Sequence, residues 1–494
     1  MSFESTKETT TLFRSFAPRI GLVIFLSTFI VYLVTLNGVW ATDHTTAFVE
    51  FDYAVWANHS FILGSIGSFD PHSVDVFVLY GNYYMANAPG AAFISLPFAI
   101  IGFILTGQFT PYGSVLLLTE VPVAFANAVA AYMVFKIGNL YFDKRVSSFL
   151  AFSYAFSTIS WPFATFLYQS DFSALFDLIA VYFALRIGRL TSREDFSQKP
   201  SRLDRTTMCL LCGLALSCGI TVDYVNAALV PIIGAYIALK KSPDTPMINR
   251  ERMISFTAFL VESIGLTLLL LGLYNYTSFG NPFVSSEQLY LNGSSLLGSF
   301  TYPLYKGLFL NLFTPLRGLF FFSPVLILGV LGFWKMKSKN FAEGILLLVV
   351  FLGILVPYSA WYDVTAGLSY GPRFLVASIP FLLIPSGFVL SEVKSNRNFI
   401  IVFVLYAIGA AENGLASLIG VLAPPSNNWF ASPFVFKVLH DLGKGSLDQW
   451  WTAGLGQGWI AAGAAIVLFA IVFPLVCDLK LRSKQKFSGR EHAN

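Results

Sequence analysis

The sequence predicts an all-α membrane protein, a polytopic bundle of about 12 or 13 transmembrane helices. Of the 494 residues, 55% are hydrophobic and only 12% are charged. The mean hydropathy of +0.67 is too high for a single soluble core of this length. Apolar runs of roughly 17 to 25 residues recur from Ile20 to Val476, and about 20 apolar residues in a helix cross a bilayer core of about 30 Å.

About twelve of these runs are predicted to cross the membrane. They lie near residues 20–40, 114–136, 146–165, 172–190, 207–221, 224–239, 254–274, 318–334, 341–358, 374–391, 399–422 and 459–479. A further run, residues 88–107, is long enough to cross, but a crossing there would invert every later span. We therefore assign it to a re-entrant or membrane-surface helix. The alternative is that residues 88–107 do cross the membrane and that the short pair of spans around Asp223 is assigned wrongly, which would restore the later orientation.

Lysine and arginine fall almost entirely on one set of the segments between these spans, which holds all but five of the 31 such residues. By the positive-inside rule that face is cytoplasmic, and both termini lie there. The five exceptions on the extracytoplasmic face are Lys306, Arg317, Arg373, Lys437 and Lys444. An anion bound on the outer face therefore has few possible cationic partners.

We expect one transmembrane domain over residues 1–479 and a basic cytoplasmic tail over residues 480–494. The basic residues form short clusters between apolar runs, which is typical of topology signals and gives no reason to expect a nucleic-acid partner. The outer loops are long, aromatic and rich in turn residues, whereas the inner loops are mostly short. These outer loops cover residues 41–113, 275–317, 359–373 and 423–458. Function is therefore expected on the extracytoplasmic face.

The first outer loop begins with Asp43, immediately after the first span. A partly desolvated carboxylate there can take a proton from a hydroxyl, although Asp43 can equally cap the helix that follows. Residues 45–58 are predicted to form a helix on the membrane surface, with Phe48 and Phe51 on its apolar face and Asp52 on another.

A divalent metal site is the alternative reading of this loop, because His44, His59 and His72 share it with several acids. Their spacing matches no known metal motif. We therefore assign no residue as a metal ligand, and a metal requirement stays open.

Carboxylates also lie in or beside the apolar runs. Asp171 is predicted at the outer end of a span and Asp177 about two turns deeper, and Glu120, Asp223, Glu262 and Glu412 are further examples. Acids inside a membrane are costly and are functional candidates by default. The alternative is that each meets the interface or, when protonated, bonds a neighbouring helix.

Two predicted helices begin on the outer face with an arginine in the first turn, at Arg317 and at Arg373. The helix dipole is positive there and favours an anion. A phosphate held between guanidinium and helix N-terminus would relieve this mismatch. In the alternative, each arginine extends to lipid headgroups or pairs with Asp363.

The ordered set of segments resembles the GT-C superfamily of glycosyltransferases that use polyprenyl-phosphate sugars. Within it, the resemblance is to the branch of the protein O-mannosyltransferases and the aminoarabinose transferase of lipid A. The segments are "WATDH", "GNYYMANAPGAAFISLPFAIIG", "YNYTSFGNPF", "TPLRGLFFFSP" and "WYDVTAGLSYGPRFLVASIP". The family's paired acids appear here as Asp43 and His44, which leaves the acceptor and any metal requirement open.

The resemblance implies a helical bundle with an extracytoplasmic active site. Asp43 takes the role of catalytic base, and Arg373 that of the ligand of the lipid phosphate, with Arg317 and Tyr370 in support. Lys306 is a further candidate for the phosphate. The candidates for contact with substrate are Asp52, Tyr83, Tyr84, Asp171 and Asp363.

We therefore predict transfer of a sugar from a dolichyl or undecaprenyl phosphate to an acceptor hydroxyl outside the cell membrane, with inversion. The acceptor is a glycan, a lipid-linked molecule or a protein. The alternative is a multi-pass transporter or a flippase for lipid-linked sugars. That alternative predicts inverted repeats with broken helices at matching positions, and no convincing pair is found in the sequence.

Overall fold

The computed structural model describes most of the chain between Ile20 and Glu491. The described residues are 20–38, 43–64, 75–107, 114–190, 204–240, 250–291, 296–336, 340–367, 369–393, 395–421, 428, 430, 432 and 458–491. Several residues named above lie outside the described part of the chain: the cations of the N-terminal segment, His72, Lys437, Lys444 and most of the predicted loop 423–458. The side chain of Asp43 also lies outside it.

Helices account for nearly all the regular structure in the described part of the chain. In its first half they are α1 Ile20–Thr35, α2 Asp43–Asn58, α3 Gly90–Thr106, α4 Ser114–Gly138, α5 Lys144–Phe156, α6 Ser160–Phe163, α7 Gln169–Leu190, α8 Arg205–Val222 and α9 Leu229–Leu239. In its second half they are α10 Arg250–Phe279, α11 Ser286–Tyr290, α12 Leu304–Phe313, α13 Leu319–Phe322, α14 Ile327–Met336, α15 Phe341–Ala360, α16 Ile379–Leu383, α17 Ser386–Leu390, α18 Asn396–Ile419 and α19 Gly458–Glu491. Short 3-10 helices cover Tyr224–Ala228, Leu296–Ser299, Pro324–Leu326 and Arg373–Ser378, and α10 contains a π-helical turn at Val261–Gly265.

The prediction of an all-α membrane bundle is confirmed. Within the described residues, six helices are long and apolar enough to cross a bilayer: Leu118–Gly138, Arg205–Val222, Arg250–Phe279, Phe341–Ala360, Asn396–Ile419 and Ala461–Asp478. Shorter apolar helices cover Ile20–Thr35, Gly90–Thr106, Tyr224–Leu239, Pro324–Met336 and Arg373–Leu383. The run predicted to be re-entrant forms one of these shorter helices, α3, and whether it crosses stays a prediction.

The first half of the bundle packs around α4, which contacts α1, α3, α5 and α7, while α7 also packs along α8. Buried hydrogen bonds fix α1 to α5 and to the segment that follows α5. The Tyr32 hydroxyl donates to the carbonyl of Ala155 at 2.8 Å, and the Trp161 indole donates to the Thr35 hydroxyl at 3.2 Å. Polar side chains thus satisfy each other between helices where no water competes.

The end of α1 is held by a carboxylate inside the bundle. The backbone N–H of Gly38 donates to Glu120 Oε2 of α4 at 2.9 Å, and the N–H of Asn37 donates to the carbonyl of Thr165 at 3.1 Å. The sequence marks Glu120 as a functional candidate because of its apolar surroundings. In the structure Glu120 has a structural role, because it accepts the backbone N–H of Gly38 just after the end of α1.

Helix α2 confirms the predicted helix in the first outer loop, but its packing differs from the prediction. Phe48 and Phe51 are buried as expected, yet Glu50 and Asp52 are also fully buried. The Ser95 hydroxyl of α3 donates to Asp52 at 2.9 Å. The helix is therefore enclosed by protein on more than its apolar face, because α3 packs along it and strand β2 contacts it.

The hairpin of β1, Val76–Leu79, and β2, Asn82–Met85, lies in the same loop. The strands are antiparallel, with Val76 opposite Met85 and Leu79 opposite Asn82. Tyr80 and Gly81 form the two-residue turn with φ of 52° and 82°, the positive values that a tight hairpin turn requires. The hairpin places Asp75 and Asn87 at its open end, beside the start of α2.

Close helix packing in the second half depends on glycine. A methyl group at Gly329 of α14 would overlap the carbonyl oxygen of Leu382, which is backbone and has no alternative rotamer. We expect Gly329→Ala to lower the free energy of unfolding by about 1–3 kcal/mol, measured by thermal unfolding in detergent. The matched control is Gly265→Ala, where the nearest atom to a new methyl is 3.9 Å away. That variant should be neutral or stabilised by up to about 1 kcal/mol, and equal losses in both would contradict the packing account.

Candidate functional site

A cavity of about 590 Å³ opens where several segments predicted to lie on the outer face meet. The lining residues come from six stretches of the chain: residue 44; residues 75 and 86–88; 168–169; 222–225; 287, 290 and 300; and 358, 361–363, 366, 367, 369, 373 and 374. Every one of these segments lies in or beside a loop that the lysine and arginine distribution assigns to the outer face. Segments far apart in sequence therefore converge on one side of the bundle, as they should if they share a function.

Arg373 lines this cavity at the start of the 3-10 helix Arg373–Ser378. Its guanidinium carbon lies 4.9 Å from the centre of the Tyr168 ring and 5.2 Å from that of Phe374, both within cation–π range. Its side chain makes no hydrogen bond or ion pair with any residue that the structure describes. Its positive charge is therefore held in place by aromatic faces and is available to an anion in the cavity.

His44 and Asp75 form a polar cluster in the same cavity. His44 Nδ1 lies 3.2 Å from Asp75 Oδ1, and its Nε2 bonds Gln169 Oε1. The Asn87 amide also donates to Asp75 Oδ1 at 3.2 Å. Burial alone would raise the pKa of the Asp75 carboxyl, but the charges and hydrogen bonds of His44, Arg373 and Asn87 lower it to about 2. Asp75 is thus an anion at any physiological pH.

Two further carboxyls, Asp223 and Glu287, line another part of the cavity. Asp223 accepts hydrogen bonds from the Tyr358 hydroxyl at 2.6 Å and from the backbone N–H of Val225 at 3.1 Å. Glu287 lies in the first turn of α11, and no hydrogen bond joins its carboxyl to another described residue. Burial, followed by the charge of Asp223, raises the pKa of Glu287 to about 7. Glu287 can therefore exchange a proton near neutral pH.

Arg317, the second arginine predicted to bind phosphate, does not line the cavity. It is 4% exposed, and its guanidinium donates to the carbonyls of Thr365 at 2.9 Å, Gly367 at 2.7 Å and Leu316 at 3.1 Å. Burial and the nearby charge of Arg373 lower its pKa to about 10. The residue holds the loop before Arg373, in which Ala366 and Gly367 adopt φ of 54° and 68°.

The other residues predicted to hold the donor phosphate are also placed away from the cavity. Tyr370 is fully buried, and its hydroxyl donates to Asn413 at 3.2 Å. Lys306 is exposed in α12 and is not part of the lining. Tyr370 is close enough to position the loop of Arg373, whereas Lys306 stands outside the site.

Of the predicted substrate contacts, Asp363 lines the cavity and the others do not. Asp363 accepts a hydrogen bond from the Thr365 hydroxyl at 2.9 Å. Tyr83 and Tyr84 lie in strand β2, and Asp171 accepts a hydrogen bond from Asn127 at 2.5 Å inside the bundle. Asp52 is enclosed beside α3, as described above. These four residues are brought near the site but not into its wall.

Asp43, the predicted catalytic base, is the first residue of α2, and its side chain lies outside the described residues. The next residue, His44, lines the cavity. The backbone therefore brings the start of α2 to the cavity wall, while the role of Asp43 stays a prediction.

The sequence did not single out Asp75 or Glu287, although both were visible as acids of the outer face. Neither lies in a recognisable motif. Asp75 precedes a strand, and Glu287 follows the Ser285 cap of a five-residue helix. Their surroundings depend on tertiary contacts, such as that of Asp75 with His44, 31 positions away, and that of Glu287 with the charge of Asp223. No local pattern reports such contacts.

The predicted alternative of a metal site finds no support among the described residues. No group of three or more His, Cys, Asp or Glu side chains there has the arrangement that holds a metal ion. His44 is engaged by Asp75 and Gln169, and His72 lies outside the described residues.

No protein-family model matches the chain, and no curated protein matches it. Several solved structures are similar to it in fold. ArnT from Cupriavidus metallidurans bound to undecaprenyl phosphate superposes with a TM-score of 0.52 at 15% identity, over 92% of this chain and 77% of that chain. Its apo state gives a TM-score of 0.50 at 15% identity, over 93% and 75%.

The apo oligosaccharyltransferase of Archaeoglobus fulgidus has a TM-score of 0.46 at 11% identity, over 83% of this chain and 57% of that chain. The two ArnT structures confirm the predicted GT-C-like fold, and at 15% identity they establish the fold alone.

The hydrogen bonds of Arg317 predict a structural role that Arg373 does not share. We expect Arg317→Ala to lower the free energy of unfolding by about 3 kcal/mol or more, because it leaves buried carbonyls without donors. Arg373→Ala should cost less than about 1 kcal/mol, since only cation–π contacts are lost. Thermal unfolding in detergent measures both, and equal destabilisation would refute this division.

The raised pKa of Glu287 predicts a pH-dependent effect on stability. The unfolded chain ionises this group near pH 4.5, whereas the folded chain ionises it only near pH 7. Folding therefore loses stability between these values as pH rises, by at most about 3 kcal/mol for the whole shift. Glu287→Gln removes this loss.

The stability of Glu287→Gln relative to the unsubstituted protein should thus rise between pH 5 and pH 8, measured by thermal unfolding at each pH. A difference that stays constant over this range would show that Glu287 is not held in its neutral form. Glu262→Gln, in the apolar helix α10, is the control for the chemical substitution itself.

Proposed function

We propose that this protein is a membrane glycosyltransferase that moves a sugar from a polyprenyl phosphate to an acceptor hydroxyl on the extracytoplasmic face. The observation that carries the proposal is Arg373. It is a cation in the wall of a 590 Å³ cavity, without a hydrogen bond or ion pair to any described residue. The fold shared with ArnT, solved with undecaprenyl phosphate, supports a polyprenyl phosphate as the carrier.

Arg373 would bind the phosphate of the donor. Tyr168 and Phe374 cover its guanidinium and exclude water from part of it, which strengthens its attraction for an anion. When the sugar leaves, the phosphodiester becomes a phosphate monoester and gains negative charge. A fixed cation stabilises that charge more in the transition state than in the ground state, which lowers the barrier. Arg317 would support this role indirectly, by holding the loop that ends at Arg373.

Asp43 would act as the catalytic base. Its carboxylate takes the proton from the acceptor hydroxyl while the oxygen forms a bond to the anomeric carbon of the sugar. The bond from that carbon to the phosphate oxygen breaks, and the polyprenyl phosphate leaves with the electron pair. A single displacement of this kind inverts the anomeric configuration and needs one base. The start of α2 at the cavity wall supports this assignment, because His44 follows Asp43 directly.

The remaining carboxyl groups would orient the reactants. Asp75 is held as an anion by His44 and Asn87, so it repels the phosphate away from that wall and towards Arg373. Asp363 and Glu287 face the cavity with carboxyl oxygens that can accept hydrogen bonds from sugar hydroxyls. The polyprenyl tail would lie in the bilayer, between apolar helices.

The proposed roles of Arg373 and Asp43 predict different effects on donor binding, although both variants should lower the rate of transfer. Arg373→Ala should weaken binding of a polyprenyl-phosphate sugar by 10-fold or more with little loss of thermal stability, because a charge-assisted contact is lost. Asp43→Asn should retain donor binding and lower the rate of transfer by about 100-fold or more, because the base is lost. Membranes supplied with radiolabelled donor measure both quantities.

The controls are Arg373→Lys, which keeps the charge, and Lys306→Ala, which removes a cation outside the cavity. Partial rescue by the lysine and no effect at Lys306 are expected. Unchanged transfer in Asp43→Asn would remove the proposed base. Equal losses of folding and donor binding in Arg373→Ala would favour a structural arginine that meets lipid headgroups.

A further inference from the structure

Four aromatic side chains from two outer segments line one side of the cavity, and we call them the aromatic shelf: Tyr290, Phe300, Trp361 and Tyr362. The rings of Phe300 and Trp361 lie 5.4 Å apart at 67°, and those of Trp361 and Tyr362 lie 5.3 Å apart at 44°. The hydroxyl of Tyr290 is hydrogen-bonded to that of Tyr362. The four rings therefore form one connected surface.

Backbone hydrogen bonds join the two segments that carry the shelf. The N–H of Tyr302 donates to the carbonyl of Ala360 at 3.0 Å, and the N–H of Tyr362 donates to the carbonyl of Ser299 at 2.9 Å. The four bonded residues flank Phe300 on one segment and Trp361 on the other. The rings are thus fixed before any ligand binds, which reduces the entropy lost on binding.

The rings of the shelf differ in exposure: Tyr362 is 44% exposed, while Trp361 beside it is only 9% exposed. Exposed aromatic residues in a membrane protein commonly belong to the belt at the lipid interface. These four differ because they line the same cavity as Arg373, whereas belt residues face lipid. The exposed ring of Tyr362 is therefore open to a ligand in the cavity.

The chemistry around the shelf matches a sugar ring. A pyranose has a face of C–H groups, which an aromatic ring can cover, and an edge of hydroxyls that need acceptors. Asp363 follows Tyr362 in sequence and lines the cavity, as does Glu287 three residues before Tyr290. No described residue donates a hydrogen bond to the Glu287 carboxyl, so it is ready to accept one from a hydroxyl.

A polypeptide acceptor fits this wall less well. Extended peptides bind by adding a strand to an exposed sheet edge, where main-chain groups supply the affinity. The hairpin β1–β2 is the sheet that the described residues form, and none of its strand residues lines the cavity. The shelf presents side-chain rings, and two of them end in hydroxyls that already bond each other.

We propose that the aromatic shelf is the acceptor subsite and that the acceptor is a carbohydrate, whose ring stacks on Tyr362, which packs against Trp361, with its hydroxyls on Asp363 and Glu287. The proposal rests on the proposed function and names its second substrate. Trp361, Tyr362 and Asp363 lie on the segment that leads to Arg373. An acceptor on the shelf would therefore face a donor whose phosphate is on Arg373.

The test is carbohydrate binding by the full chain in detergent, without any donor. The probes are an array of oligosaccharides containing hexoses, deoxyhexoses and N-acetylhexosamines, and a parallel array of serine- and threonine-rich peptides. We expect the unsubstituted protein to bind oligosaccharides and Tyr362→Ala to bind them at least 10-fold more weakly. Tyr362→Phe should retain most binding, because it keeps the stacking face. Tyr305→Ala, an aromatic that is 72% exposed outside the cavity, is the matched control and should bind as well as the unsubstituted protein.

Binding to peptides but not to oligosaccharides would overturn the proposal, as would equal oligosaccharide binding by Tyr362→Ala and the unsubstituted protein. Arg373→Ala separates this inference from the proposed function, because it should still bind oligosaccharides while losing the donor. Oligosaccharide binding without any donor turnover would leave the shelf as a carbohydrate site and refute the transferase. Thermal unfolding of each variant excludes a general loss of folding.

Discussion

The guanidinium of Arg317 fixes the segment on which the rest of the site depends. Residues 361–372 link α15 to the helical segment of Arg373, and no helix in the described part of that segment holds them in shape. Arg317 donates to the carbonyls of Thr365 and Gly367, where the chain passes through positive φ. Such a backbone conformation persists only when its surroundings determine it. The buried arginine supplies that determination, and with it the places of Asp363, Tyr362 and Arg373.

Two arginines in the same local sequence setting thus have different surroundings. Each follows a turn and precedes an apolar helix, and the sequence assigned phosphate binding to both. The helix dipole and the scarcity of outer cations are local or global properties, so they could be read from the sequence. Whether a guanidinium is already satisfied by carbonyls is a tertiary property. It depends on residues 48 and 50 positions away from Arg317 and leaves no trace in the neighbouring residues.

The same distinction explains what else the sequence could predict. Hydropathy and charge placement determine the bundle and the face where its loops converge, because the bilayer constrains every span in the same way. The helix at the start of the first outer loop also follows from its own residues. The burial of Glu50 and Asp52 does not, since it depends on how α3 and β2 pack against that helix. The pairing of His44 with Asp75 likewise joins parts of a loop whose path no short pattern specifies.

The charges of the cavity favour separate positions for a bound anion and for hydroxyl groups. Asp75 is an anion that contacts His44, while Arg373 has aromatic neighbours and no ion pair with a described carboxylate. Under the proposed function, a phosphate would be drawn to Arg373, and the negative charge of Asp75 would keep it away from the other wall. Asp223 accepts a hydrogen bond from Tyr358, and its charge together with burial raises the pKa of Glu287 to about 7, so Glu287 carries less than a full negative charge at neutral pH. The Glu287 carboxyl can donate a hydrogen bond when it is protonated and can only accept hydrogen bonds when it is ionised. In the proposed function, this suits Glu287 to a hydroxylated ligand and leaves the anionic one to Arg373.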